Sequence, residues 1–374
     1  MRYFIIAGEP SGDLHGSNLI AELHKTDKEA EIFCWGGDLM ETAGAKLLMH
    51  YRKLAFMGFL EVLLNIRTIA QNLRLCKNQI AETKPDVIIL IDYPGFNLKI
   101  ASFAATAGMR VYYYISPKIW AWKESRIKII KKYIHRMYII FPFEIDFFKK
   151  HNYKVEYHGN PLVDEIEQKL SVLPEKNAII DNCGLENKPV IAILAGSRRM
   201  EIKYILPEML KVVNNYPDYQ FVLTCVKSIP LEYYSRIIGN LPVKLVVNKT
   251  YEILSIAEAA LVTSGTATLE TALIGTPQVV CYKGDVLSYV IAKSLVKIKF
   301  ISLVNLIMDS EVVKELLQYD LNKEKIRNEL DLILRGGNNR DGMIMNYRLL
   351  KTKLGGTGAS ERIAKDIFNS LKNN

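Results

Sequence analysis

Short apolar runs of strand length alternate with amphipathic stretches of helix length, and this chain goes through the alternation twice. The first series is RYFIIAG, EIFCWGG, VIILID, RVYYYIS, RMYIIFP and KVEYHG. The second is VIAILAGS, YQFVLTC, VKLVVN, AALVTSG, PQVVCYKG and FISLVNL. Apolar runs of this kind, spaced by helical segments, read as strands buried on both faces of a parallel sheet. Gly159-Asn160-Pro161 interrupts the rhythm, and 374 residues are comfortable for two domains. The sequence therefore predicts an α/β protein with two Rossmann-like domains facing a cleft. One domain covers 1–160, the second 161–345, and a helical tail 346–374 is expected to open at Ser360 as N-cap.

Composition narrows the function classes. About half of the residues are apolar and a quarter charged, as in a soluble globular protein. No run of about 20 apolar residues is present to span a bilayer. Met1-Arg2 leads straight into a strand with no cleavage signal, so a cytoplasmic protein is expected. The five cysteines are scattered without a C-x-x-C pair, which suits reduced core thiols. The six histidines lack metal-ligand spacing, and no metal site or cofactor is expected. Lys and Arg exceed Asp and Glu by nine, favouring a phosphorylated substrate or an acidic membrane surface. No nucleic-acid-binding signature accompanies that charge.

Four stretches carry candidate chemistry. In the first, GEPSGDLHG, the glycines Gly8, Gly12 and Gly16 fall four apart, which excludes the G-x-G-x-x-G dinucleotide fingerprint. It reads as a loop before a helix opening at Ser17, its glycines allowing close approach and Ser11 and Asp13 offering polar contacts. The second, AALVTSGTATLETALIGTP, reads as a strand, a tight Ser264-Gly265-Thr266 turn and a helix start, whose free N–H groups suit a diphosphate. Glu270 lies one turn further on the same face, within reach of ribose hydroxyls; the alternative is a charge complementing the helix dipole. The third, VIAILAGSRRMEI, puts Gly196, Ser197 and Arg198 at another strand tip, as a phosphate clamp or as a solvated turn. In the fourth, PDVIILIDYPGFN, Asp92 ends a buried strand, either as a base for a substrate hydroxyl or as a helix cap.

Two further features point toward an amphiphilic ligand. Residues 116–136, SPKIWAWKESRIKIIKKYIHR, hold seven basic residues, one acid and two tryptophans. They suit an anionic, partly apolar ligand or a membrane interface, or else a solvated helix face. The apolar stretches at 54–64 and 287–300 read as core or as lipid-touching surface.

Taken together, these stretches resemble the lipid-A-disaccharide synthase family. The matching segments are GEPSGD (8–13), FMGFLEVL (56–63), PDVIILIDYPGFN (85–97), SPKIWAW (116–122), FPFE (141–144), GSRRMEI (196–202), SGTATLE (264–270) and ISLVNL (301–306), with GASERIA (358–364) in the tail. Ala195 departs from the usual Pro. The resemblance implies a glycosyltransferase B fold, with an N-terminal acceptor-binding domain and a C-terminal UDP-sugar domain. It implies a metal-independent, inverting transfer from UDP-2,3-diacylglucosamine to the 6-hydroxyl of 2,3-diacylglucosamine 1-phosphate. Asp92 would then be the general base, and Gly196, Ser197, Arg198, Ser264, Gly265, Thr266, Glu270 and Asn305 would bind the nucleotide part. Gly8, Ser11, Gly12, Asp13, Ser116, Trp120 and Trp122 would line the acceptor side. It further implies peripheral contact with the anionic cytoplasmic face of the inner membrane, and a tail that either packs back on the N-terminal domain or is exchanged between the protomers of a homodimer. A UDP-N-acetylglucosamine 2-epimerase and a polyprenyl-linked N-acetylglucosamine transferase are the same-fold alternatives.

Overall fold

The apolar runs pair into two parallel sheets in a computed structural model that describes residues 1–54, 66–285 and 299–372. The apolar motif at 56–63, and all but the last two residues of the stretch at 287–300, lie outside the described residues. Strands β1 (Arg2–Ala7), β2 (Glu31–Gly36), β3 (Lys46–His50), β4 (Val87–Ile91), β5 (Val111–Tyr114), β6 (Arg136–Ile139) and β7 (Glu156–Tyr157) lie in the order β3-β2-β1-β4-β5-β6-β7. Strands β8 (Val190–Leu194), β9 (Gln220–Cys225), β10 (Val243–Val247), β11 (Ala257–Thr263), β12 (Gln278–Tyr282) and β13 (Lys314–Leu317) lie in the order β10-β9-β8-β11-β12-β13. Pairing is parallel throughout. The central strands are apolar on both faces because both faces are covered: every residue of β4 and β8 is buried.

Two compact units result, Met1–Asp164 with Leu354–Asn374, and Glu165–Lys353. In each sheet the strand order reverses once, between β1 and β4 and between β8 and β11. The loops leaving such a pair diverge to opposite faces and open a crevice at the carboxyl ends of the strands. That topology singles out four loops: those after β1, β4, β8 and β11.

Several elements differ from the sequence expectations. The first helix runs Pro10–Thr26, with Pro10 in its first turn, so Gly12 and Gly16 are helical residues and not loop residues. They are small because the helix lies close on the sheet: a Cβ on Gly12 would press on Ala7, and one on Gly16 on Met40 and Ile91. FISLVNL is not a strand. Leu303–Met308 is helical, with the Ser302 hydroxyl accepting the Asn305 N–H, and an apolar run of that length is ambiguous between the two states. Half-buried edge strands β3 and β13 lacked a contrast strong enough to read. The final helix, Ala359–Lys372, has Ser360 inside its first turn. Asp164 supplies the cap, accepting the N–H groups of Gly358 and Ser360.

Candidate active site

At the first reversal point the chain leaves β4 through two consecutive left-handed residues, Asp92 at φ 42° and Tyr93 at φ 48°. Left-handed backbone is uncommon in non-glycine residues and persists where the surroundings over-determine it. Here Asn97 Nδ2 donates to the carbonyls of Ile91 (3.1 Å) and Asp92 (2.8 Å), and the Tyr113 hydroxyl donates to the Asp92 carbonyl. The backbone polar groups of Asp92 are thus fixed, while its half-buried carboxyl is left for other work. Burial pushes that carboxyl up to about 6; Lys118 and the Tyr93 N–H pull the other way and Glu9 adds to the rise. A carboxylate poised there is ionised at neutrality yet basic enough to accept a proton.

The loop after β1 lies beside it, and its residues have structural partners. Gly8 is glycine because any Cβ would run into the Tyr93 ring. Asp13 is 3 % exposed and accepts the N–H groups of Gly37 (2.7 Å), Leu39 (3.2 Å) and Met40 (3.1 Å). It anchors the helix Asp38–Thr42. Gly8 and Gly12 make room for protein atoms. Of the polar residues predicted in this loop, Ser11 alone is exposed.

The SPKIWAW stretch follows β5 in the same unit. Ser116 is 4 % exposed and its hydroxyl donates to Glu144, so it too is committed internally. Trp120 packs edge-on against Phe143 with ring centroids 4.8 Å apart. Trp122 is 47 % exposed under two cations, with Lys123 Nζ 4.4 Å and Arg126 Cζ 5.5 Å from its ring centroid.

In the second unit, the register of β8 against β11 pairs Leu194 with Val262, bringing the Gly196–Arg198 and Ser264–Thr266 tips side by side. They are built differently. Glu201 Oε2 accepts the N–H groups of Ser197 (3.0 Å) and Arg198 (3.2 Å), so this turn caps itself, and Gly196 at φ 112° could carry no Cβ without striking Glu201. The exposed Arg198 guanidinium, 3.6 Å from Glu201, is the group left for an anion. By contrast the helix Thr266–Ile274 starts at Gly265, φ 150°, with no side-chain cap. Its leading N–H groups are met by no side-chain cap, the arrangement in which a helix start suits an anion. Ser264 Oγ donates to the Ile301 carbonyl at 3.0 Å.

Glu270, half-buried on that helix, accepts the Tyr251 hydroxyl at 2.7 Å. Burial raises its pKa, with Glu165 reinforcing and Tyr251 and Lys169 opposing. Asn305, expected to bind the nucleotide part, has internal partners. It is fully buried, its Nδ2 donates to Val313 O (2.8 Å) and Glu315 Oε1 (3.0 Å), and its Oδ1 accepts the N–H groups of Val312 (2.8 Å) and Val313 (3.0 Å). These bonds tie Asn305 to residues 312–315.

A family model for lipid-A-disaccharide synthetase matches residues 3–363. The chain belongs to that family. Lipid-A-disaccharide synthase of Coxiella burnetii is 36 % identical over 372 residues, 98 % of each chain. Solved structures share the architecture at low identity. A UDP-GlcNAc 2-epimerase from Neisseria meningitidis bound to UDP-GlcNAc superposes with a TM-score of 0.65 at 14 % identity, covering 100 % of both chains. CalG4, the calicheamicin glycosyltransferase, gives 0.61 at 13 %, covering 100 % of this chain and 99 % of its own. The likeness is one of fold, and the two sheets are the Rossmann-like domains of the glycosyltransferase B fold.

In this lipid-A-disaccharide synthetase family member, Tyr93, Asn97, Tyr113, Glu144, Glu201, Tyr251 and Glu315 support the site and were not singled out from sequence. Four of them, Tyr93, Asn97, Glu144 and Glu201, lie inside the quoted motifs, which was the available signal. Tyr113, Tyr251 and Glu315 lie outside them and show their roles only in three dimensions. Among the described residues, no group of three or more His, Cys, Asp or Glu side chains could hold a metal ion, and no helix is long and apolar enough to cross a membrane.

Proposed function

We propose that this chain transfers 2,3-diacylglucosamine from its UDP donor to the 6-hydroxyl of 2,3-diacylglucosamine 1-phosphate, forming a β-1,6 disaccharide 1-phosphate and UDP. The observation that carries the reading is Asp92, a carboxyl held up to about 6 on strained backbone at the β1/β4 reversal point. In this scheme Asp92 takes the proton as the acceptor O6 attacks the anomeric carbon. The bond from that carbon to the diphosphate oxygen breaks on the opposite face, inverting the centre, and its electron pair leaves with UDP. Charge gathering on the diphosphate is met by the uncapped start of the helix Thr266–Ile274, by Gly265 and by the Arg198 guanidinium. Glu270, oriented by Tyr251, accepts from the ribose hydroxyls. Ser11, Trp120, Trp122 and the lysines around them receive the phosphorylated, acylated acceptor. No step needs a metal.

The same proposal places the protein peripherally on the anionic cytoplasmic face of the inner membrane, where both lipids reside. The helix Ala359–Lys372 packs on the first helix within one chain; the proposal exchanges that contact between two copies, and sedimentation of the purified protein is the check on dimerisation.

The test supplies both substrates in detergent micelles with EDTA and follows UDP release together with the lipid product. Disaccharide phosphate is expected at full rate despite the chelator. A parallel reaction holds UDP-N-acetylglucosamine alone; epimerisation there, with no disaccharide in the first, would replace this reading.

A further inference from the structure

Lys169 stands on the helix Pro161–Ser171, one turn after Glu165. Glu165 is 6 % exposed, and Lys169 Nζ donates to its Oε1 at 2.6 Å. A carboxyl so buried is costly without a partner, and the reaction scheme above gives the pair nothing to do. The same ammonium lies over the Tyr251 ring, 4.3 Å from its centroid, well inside the range at which an aromatic face attracts a cation. Tyr251 lies in the first turn of the helix Thr250–Ile256, and its hydroxyl donates to Glu270 Oε1 at 2.7 Å. Four side chains from three helices thus form one line, from Glu165 through Lys169 and Tyr251 to Glu270, each touching the next. All four belong to the second unit. A carboxylate is planar, so a hydrogen bond that fixes Oε1 also sets the direction of Oε2.

We propose that Lys169 is a positioning residue for nucleotide recognition: tethered by Glu165, it fixes the Tyr251 ring, so that the Tyr251 hydroxyl goes to Glu270 Oε1 and Oε2 is aimed at a ribose hydroxyl. The alignment of Tyr251 needs no ligand; its consequence for the nucleotide rests on the reading of Glu270 as the ribose acceptor. The tether matters because Glu165 is a second carboxylate facing the Tyr251 hydroxyl, and the bond from Lys169 keeps it engaged. The line therefore selects for ribose. A deoxy sugar has one hydroxyl fewer to donate to Glu270, and a hydrogen bond to a carboxylate is among the strong ones. The diphosphate groups, Arg198 and the start of the helix Thr266–Ile274, stand apart from this line and act on both sugars alike.

Tyrosine labelled with carbon-13 at Cζ reports on the hydroxyl in the full chain without nucleotide, and Tyr251→Phe identifies the signal. Glu270→Gln is expected to move the Tyr251 signal, because the hydroxyl exchanges a charged acceptor for a neutral one. In the Lys169→Met background the same substitution is expected to move it less than about a third as far. In the Lys169→Arg background it is expected to move as far as in the wild type. The field of Lys169 acts on both members of each comparison and cancels. Lys169→Gln, whose amide can still donate to Glu165, stands in if Lys169→Met does not fold. Equal movements in the wild-type and Lys169→Met backgrounds overturn the proposal, as does a signal that ignores Glu270→Gln altogether. Calorimetry then compares UDP with 2′-deoxy-UDP and 3′-deoxy-UDP. The wild type is expected to favour UDP over at least one of them by about tenfold, and Lys169→Met to lose most of that preference by weakening UDP alone. Weakening of UDP and both analogues by the same factor would give Lys169 a merely structural role and overturn the proposal. An absent preference, or one that survives Glu270→Gln, beside an NMR comparison that behaves as expected, keeps the alignment of Tyr251 and removes Glu270 from the ribose.

Discussion

Burial holds the Asp92 carboxyl up to about 6 against an ordinary value of 3.8, so between these pH values the folded protein keeps a proton that the unfolded chain has lost. Stability from this residue is therefore highest below pH 4, falls as pH rises to 6, and stays lower above it by at most about 3 kcal/mol. Asp92→Asn removes that cost, and asparagine tolerates the left-handed backbone well. The variant is expected to melt above the wild type at pH 8 and level with it at pH 4, while turnover drops by roughly 10²–10⁴. Calorimetry at both pH values with a product assay would check this; a gap independent of pH would count against the burial cost. Glu144 has the same sign for the same leading cause, burial, which pushes it up to about 7 from 4.5 against the hydrogen bonds from Ser116, Phe141 and Ile140. Glu144→Gln mimics the protonated form. Its melting temperature is expected to pull ahead of the wild type between pH 5 and 7 and to hold that lead at pH 8, the full gap being on the order of 3 kcal/mol.

Among the elements, the helix Ala359–Lys372 shows how a remote segment becomes part of the first unit. Ile363, Ala364 and Ile367 are fully buried. Asp366 accepts the Tyr138 hydroxyl at 2.8 Å and pairs with Arg136 at 3.2 Å. Asp164→Ala removes the cap and is expected to cost about 1 kcal/mol, whereas Ile367→Ala opens a cavity and is expected to cost about 2–5 kcal/mol. Urea denaturation of the two variants would test that ranking, and equal losses would mean the cap is carrying packing as well. The buried strands were legible because burial on both faces forces long apolar runs. The first helix was not read from Pro10, because glycines at i and i+4 look like loop punctuation until the sheet beneath them is seen. The site divides along similar lines. Asp92, Arg198 and the Ser264–Thr266 turn could be singled out because they end strands beside a reversal point, where open α/β sheets leave a crevice. The internal hydrogen bonds of Asp13, Ser116 and Asn305 were not legible, because sequence does not show whether a polar side chain has an internal partner.

At the scale of the whole molecule, the two units differ in how the chain builds them. The second is one continuous segment, Glu165–Lys353, whereas the first closes only when Leu354 and the residues after it return to it. Among the buried side chains of the final helix, Ile363, Ile367 and Leu371 contribute about 1.5–3 kcal/mol each, and Ala359 and Ala364 less. Domains of this size are stable by only about 5–15 kcal/mol. Residues 1–164 alone are therefore expected to remain molten or unfolded, and 165–353 alone to fold. The proposed nucleotide groups Arg198, Ser264, Gly265, Thr266 and Glu270 all lie on that continuous segment, together with Tyr251, which orients Glu270. The 165–353 fragment is accordingly expected to bind UDP within about tenfold of the full chain, a penalty of about 1.4 kcal/mol. Arg198→Ala in the fragment should weaken binding, because the Ser197 and Arg198 amides are occupied by Glu201 and the guanidinium is what that tip has to offer. Titration calorimetry with UDP decides the matter. A cooperatively folded fragment that ignores UDP would move the nucleotide site off these loops, and undiminished binding by Arg198→Ala would leave the uncapped helix start to hold the diphosphate without the clamp.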